Sequence, residues 1–319
     1  MEIPLEDLWP YYMTKRSGPT AAFDITNLDV RLDSSMKISY VLTKYGARED
    51  GAVLPSWSGF FTHLTSDVPN PCRIGYLPII DGSRCSPTDP SVVNCILTRS
   101  VDISDKLDLP AIVVVMDEAV YAKAQQIRWQ DEVLQSRLVL RLGEFHLAMT
   151  FLGTIGKRFQ DGGLRDVLIE SNIIATGSVN AVLSGKHYNR SVRAMKILYE
   201  ALYGLILAAY EESMVDDGRR KFIDLMGRLR DAFTNDIETY ERLTVTEDFQ
   251  ALFGELNQFI KAKSESSPTL TYWFSFIEIV DVLLQFLRAT RSGNWSLHLH
   301  SIRCMLPWLF AYDRVYYSR

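Results

Sequence analysis

Apolar and polar positions follow two different rhythms along this 319-residue chain, and the change comes near residue 146. Before it, short runs with strand character alternate with helical ones: AAFDITNLDV (21–30), MKISYVLTKY (36–45), IGYLPII (74–80), AIVVVM (111–116) and RLVLRL (137–142). The spacing of Val93, Ile96, Leu97, Val101 and Ile103 predicts a helix over 90–107 with Pro90 in its first turn. A second helix, from Glu118 to about Trp129, joins the last two strands. Beyond residue 146 the period predicts helices alone, over 146–159, 188–213, 217–243, 247–263, 269–291 and 295–316. Turn signals separate them, such as DGG at 161–163, DDG at 216–218 and SESSP at 264–268.

The order is therefore three strands, a helix, a strand, a helix, a strand and a long helical block. A continuous apolar run such as AIVVVM suits a strand covered on both faces, as in α/β sheets. A doubly wound nucleotide-binding fold would place a Gly-rich turn after its first strand, and none is present. GTIGKR at 153–158 lacks the GxxxxGK[ST] spacing and lies inside a helical pattern. The order instead fits an α/β, ribonuclease-H-like mixed sheet with a large all-helical insertion and C-terminal helices. Its divisions would be a core over 1–146, a helical insertion over 147–267 and C-terminal helices over 268–319 that return to the core.

Composition changes this picture little. With 47% hydrophobic and 23% charged residues the chain is ordinary globular material. The net charge of −5 gives no overall field for a polyanion, so nucleic-acid contact would need a local patch. Four cysteines (Cys72, Cys85, Cys95, Cys304) fit no zinc spacing, and reduced thiols inside a cell are expected. The longest uninterrupted apolar stretch, ALYGLILAAY at 201–210, is half the roughly 20 residues a bilayer needs, so no membrane partner is expected.

The candidate chemistry lies in the acids. In a ribonuclease-H-like sheet the first and fourth strands are neighbours, which would bring Asp24 and Asp117 together. Two adjacent carboxylates repel at low dielectric, and a divalent cation relieves that repulsion. Mg²⁺, or Mn²⁺, prefers such oxygen ligands, and a pair of ions can stabilise both oxygens of a phosphodiester displacement. Glu278 and Asp281, three residues apart on an apolar helix, are candidates to complete the metal site, with Glu278 in the catalytic set beside Asp24 and Asp117. Each has a structural reading as well. Asp117 and Glu118 suit the first turn of a helix, Asp24 suits a turn or sheet edge, and Glu278 or Asp281 could pair with Arg288, Arg291 or Arg303. His146 could reach the metal site as an accessory group or be a satisfied core histidine. Lys186, Arg190, Arg193 and Lys196, at helical spacing, could grip phosphates or simply form a solvated helix face.

The strings GYLPIID, IVVVMDEAVYAKAQQIRW, RLGEFHLAMTFLGTIGKRFQDGGLRDVLIES, SGKHYNRSVRAMKILYEAL and TYWFSFIEIVDVLLQFLRATRSGNWSLHLHSIRCMLPWLFAYDR resemble a family of large uncharacterised proteins that occur many times over in invertebrate genomes. That multiplicity suggests mobile elements. The strand order is similar to the hAT and Mutator types of transposase, in which two aspartates and a glutamate hold the metals. The resemblance implies Asp24, Asp117 and Glu278 in those roles, DNA as partner, a nuclear location and metal-dependent DNA recombination. It leaves homo-oligomer formation open. GEFH resembles those transposases' element after the fifth strand only loosely, because Glu144 stands two positions before His146 rather than three. The alternative is a non-catalytic helical scaffold or interaction module derived from such an element.

Overall fold

The computed structural model describes residues 30–48, 51, 53–64 and 86–314. In it the chain is predominantly helical, which overturns the expected ribonuclease-H-like mixed sheet. Among the described residues only two strands form, β1 (Ile112–Met116) and β2 (Leu138–Leu142), paired in parallel with Val113 opposite Val139. The run MKISYVLTKY, expected as a strand, belongs instead to helix α1 (Val30–Gly46). Ile38, Tyr40 and Leu42 alternate as a strand would, but Ile38, Val41, Leu42 and Tyr45 also keep the i, i+3, i+4, i+7 spacing of a helix face. Packing on a helical neighbour decides between the two periods. The other strand-like runs, 21–29 and 74–80, lie outside the described residues.

Short apolar segments and clear stop signals fix the rest. Helix α2 (Trp57–Leu64) is followed by α3 (Pro90–Lys106), where the Asp89 carboxylate accepts from the Ser91 amide and Pro90 takes the first position. Helices α4 (Glu118–Arg128) and α5 (Glu132–Arg137) lie between the strands. After β2 come α6 (Glu144–Phe159), α7 (Leu164–Glu170), α8 (Val179–Leu183), α9 (Tyr188–Glu212) and α10 (Asp216–Asn235). The expected single helix over 217–243 is broken at Asp236, which turns extended and caps α11 (Ile237–Thr244) by accepting from the Thr239 amide. Then follow α12 (Glu247–Ser266), α13 (Pro268–Ser292) and α14 (Trp295–Ala311). Ser267 and Asn294 cap the last two, and Gly293 between them adopts the left-handed conformation that ends a helix.

Among the described residues two hydrophobic clusters result. The smaller gathers Val93, Leu97, Met116, Ala124, Leu134, Leu138 and Leu140, so α3, α4 and α5 cover one face of the strand pair. Val113, Val115 and Val139 on the opposite face are about half exposed. The larger cluster runs through α1, α2 and the helices from α6 to α14. At its centre lies α13, which packs against α6, α9, α12 and α14. By length and composition α13 could cross a bilayer, yet 56% of its most apolar window is buried against other helices. The GTIGKR glycines serve this packing. A Cβ at Gly156 would stand 1.9 Å from the Leu183 carbonyl oxygen, so α6 meets the end of α8 backbone to backbone.

Candidate site at the junction of α2, α9 and α13

Asp117 follows β1 as a helix cap. Its side chain is exposed and accepts from the Val120 amide at 2.9 Å, which satisfies one of the orphan donors of α4. Asp24 lies outside the described residues. Glu278 and Asp281 share α13 but not an environment. Glu278 is exposed, whereas Asp281 is buried and accepts a hydrogen bond from the Tyr199 hydroxyl of α9 at 3.3 Å. Asp117 thus belongs to the small α/β cluster and Asp281 to the helical core. Among the described residues, no three His, Cys, Asp or Glu side chains form a group that could hold a metal ion.

Around Asp281 runs a buried polar seam. Burial first, then the charge of Asp281, hold the Tyr199 hydroxyl well above its ordinary pKa, and the same two causes raise Tyr203. Both phenols are donors throughout the usual pH range. Tyr40 of α1 donates to Glu200 and is raised by burial and by that carboxylate. Trp57 packs edge-on to Tyr40 and Tyr199, at centroid separations of 5.0 and 6.1 Å, and links α2 to the seam. Among the described residues its buried indole N–H has no acceptor, and the amide of Gln285, one turn beyond Asp281, has no partner.

The acid of GEFH, Glu144, finds its histidine elsewhere in the chain. Arg141 donates to Glu144 at 2.7 Å and approaches the ring nitrogen Nε2 of His298 at 3.3 Å. His298 is packed between Phe286 and Trp295, and burial pulls its pKa down; Glu144 opposes that shift and Arg141 adds to it. His146 itself is exposed. The histidine that meets Glu144 is therefore the one from HLH, and it fastens α14 to the end of β2.

The basic stripe of α9 divides in the same way. Lys186, Arg190 and Arg193 are exposed, and among the described residues Arg190 reaches only the Ser178 hydroxyl, at 3.5 Å. Lys196, one turn further, points into the junction, where its ammonium donates to Ser58 Oγ at 2.6 Å. Arg291, at the end of α13, donates to the same oxygen at 2.5 Å, so the two cationic nitrogens lie within about 5 Å of each other. Like charges at that separation repel by roughly 1–3 kcal/mol, between the bulk-water and protein-surface limits. Burial, then Arg291, push the Lys196 ammonium down to about 8, with Glu200 acting the other way. Among the described residues neither cation sits in an ion pair.

A family model matches residues 56–319, from the start of α2 to the end of the chain. The chain belongs to that family, a domain of unknown function (DUF8702). The match spans this junction, both strands and every helix from α2 onward. No curated protein and no solved structure matches the chain.

Ser58, Trp57 and Arg291 carry the junction together with Lys196, and sequence reasoning assigned the first two nothing. Arg291 was legible only as a salt-bridge partner for Glu278 or Asp281. The sole signal was WSGFF, a serine and glycine set among aromatics, and it has no meaning until α2 is placed against α9 and α13.

Proposed function

We propose that this domain is a non-catalytic helical interaction module that holds an anionic partner against the basic face of α9 and the adjoining end of α13. The observation that carries this reading is the contrast between the two sets of charged residues. Two of the acids expected to bind metal are engaged in the fold, Asp117 as a helix cap and Asp281 as acceptor of a buried tyrosine. Lys186, Arg190, Arg193 and Arg291 instead present their charge to solvent. The phosphoryl-transfer reading needed adjacent strands to bring Asp24 to Asp117; Asp24 lies outside the described residues, and of the expected N-terminal strands the run at 36–45 is helical.

Fluorescence anisotropy at low salt tests the proposal, with a short labelled DNA duplex and labelled poly-L-glutamate as probes. Saturable binding of at least one probe, weakened by adding salt and lost when Lys186, Arg190 and Arg193 are all changed to Ala, is the expected result. Absence of binding to both probes, or binding indifferent to the triple substitution, would overturn it.

A further inference from the structure

We propose that Lys196, Arg291, Ser58 and the start of α2 form a pocket for a phosphate dianion, free or as a monoester. The pocket deepens the anionic-partner reading by giving that face one discrete subsite; it shares Arg291 with that reading but uses none of Lys186, Arg190 and Arg193.

The argument is an excess of donors over acceptors. A serine hydroxyl oxygen has two lone pairs, and both cations already point at the one on Ser58. An ammonium carries three N–H donors and a guanidinium five, so most of their capacity is unused by partners among the described residues. The indole N–H of Trp57, the residue before Ser58, is buried and has no acceptor among the described residues. The Phe60 amide bonds the Ser56 carbonyl, so the helix begins at Trp57 and the amides of its first residues have no partner within it. Its first turn holds no acidic side chain that could occupy them. Glu200, the carboxylate whose charge bears on Lys196, is held by the Tyr40 hydroxyl. A tetrahedral oxyanion would supply the missing acceptors, and two positive charges match a dianion better than a singly charged group. Ser58 is half-buried while Gly59 and Arg291 are exposed, so the pocket opens to solvent. On binding, phosphate would replace Ser58 Oγ as the shared acceptor. It would also raise the Lys196 pKa from its depressed value and so take up a proton near pH 8.

Isothermal titration of inorganic phosphate into the full chain at pH 8, with chloride balancing ionic strength, tests the pocket. The expected result is one saturable site whose heat changes with buffer ionisation in the direction of proton uptake. Arg291→Gln and Lys196→Met should each weaken it about tenfold or more, while Arg193→Gln leaves it unchanged. Because Arg291 is exposed, its variant should keep the wild-type circular dichroism spectrum. Dimethyl phosphate, a singly charged diester, should bind more weakly. O-phosphoserine binding at similar affinity would assign the pocket to a phosphorylated partner, and its exclusion would assign it to free phosphate. Either result supports the pocket. No saturable phosphate binding, unaltered affinity in Arg291→Gln, or dimethyl phosphate binding as tightly as phosphate would each overturn it. Phosphate binding alongside failure of both anisotropy probes would leave the pocket standing and remove the broader reading.

Discussion

Replacing Gly156 with Ala should destabilise the domain although alanine is the better helix former. An alanine Cβ there would lie 1.9 Å from the Leu183 oxygen and 2.7 Å from its carbonyl carbon, both backbone atoms, where ordinary contact begins at 3.4 Å. No side-chain rotation relieves this, so α6 and the end of α8 must separate by about 1.5 Å. Overpacking of this kind costs about 1–3 kcal/mol, against a gain of about 1 kcal/mol from helix propensity. Gly204 in α9 provides the control, because a Cβ there meets nothing within 4 Å and only the gain remains. Urea unfolding followed by far-ultraviolet circular dichroism should place the midpoint below wild type for Gly156→Ala and above it for Gly204→Ala, a separation of roughly 1–3 kcal/mol. A midpoint for Gly156→Ala at or above wild type would refute the backbone contact between α6 and α8.

Two further substitutions probe the roles given to the acids. Asp117→Ala should cost about 1 kcal/mol of stability through loss of the α4 cap, whereas Asp117→Asn, which keeps an acceptor, should be close to wild type in the same urea assay. A cost shared equally by both variants would point to a role for the charge rather than the cap. Tyr199→Phe should cost about 1–3 kcal/mol, because it strips a donor from buried Asp281, and thermal melts of the Tyr199→Phe, Asp281→Asn double cycle should show the two losses to be non-additive. Strict additivity would mean the hydroxyl and carboxylate act independently.

The helical second half was legible because its helices are long, amphipathic and bounded by caps such as Ser267 and Asn294, so their limits could be placed within a few residues. Strands β1 and β2 were equally plain as short runs rich in β-branched and aliphatic residues. What failed was the segment around Ile38 to Tyr45, where one set of apolar residues satisfies two periods and only α9 and α10 packing on it selects the helix. That reversal removes one of the three N-terminal strands on which the ribonuclease-H-like order rested. Asp117 illustrates a subtler limit, since the sequence offered both a cap and a metal ligand and only the bond to the Val120 amide decides its observed role. The α2, α9 and α13 junction was illegible because its residues come from three distant segments and Ser58 bears no charge to mark it.

Incubating labelled duplex DNA with the wild-type chain in Mg²⁺ or Mn²⁺, beside Asp117→Asn and Glu278→Gln, tests most directly whether this is a binding module rather than a nuclease. The account predicts intact DNA in every lane, with the duplex or another polyanion retained on the basic face. Cleavage by the wild type that disappears in Asp117→Asn, while the variant keeps wild-type stability, would contradict it.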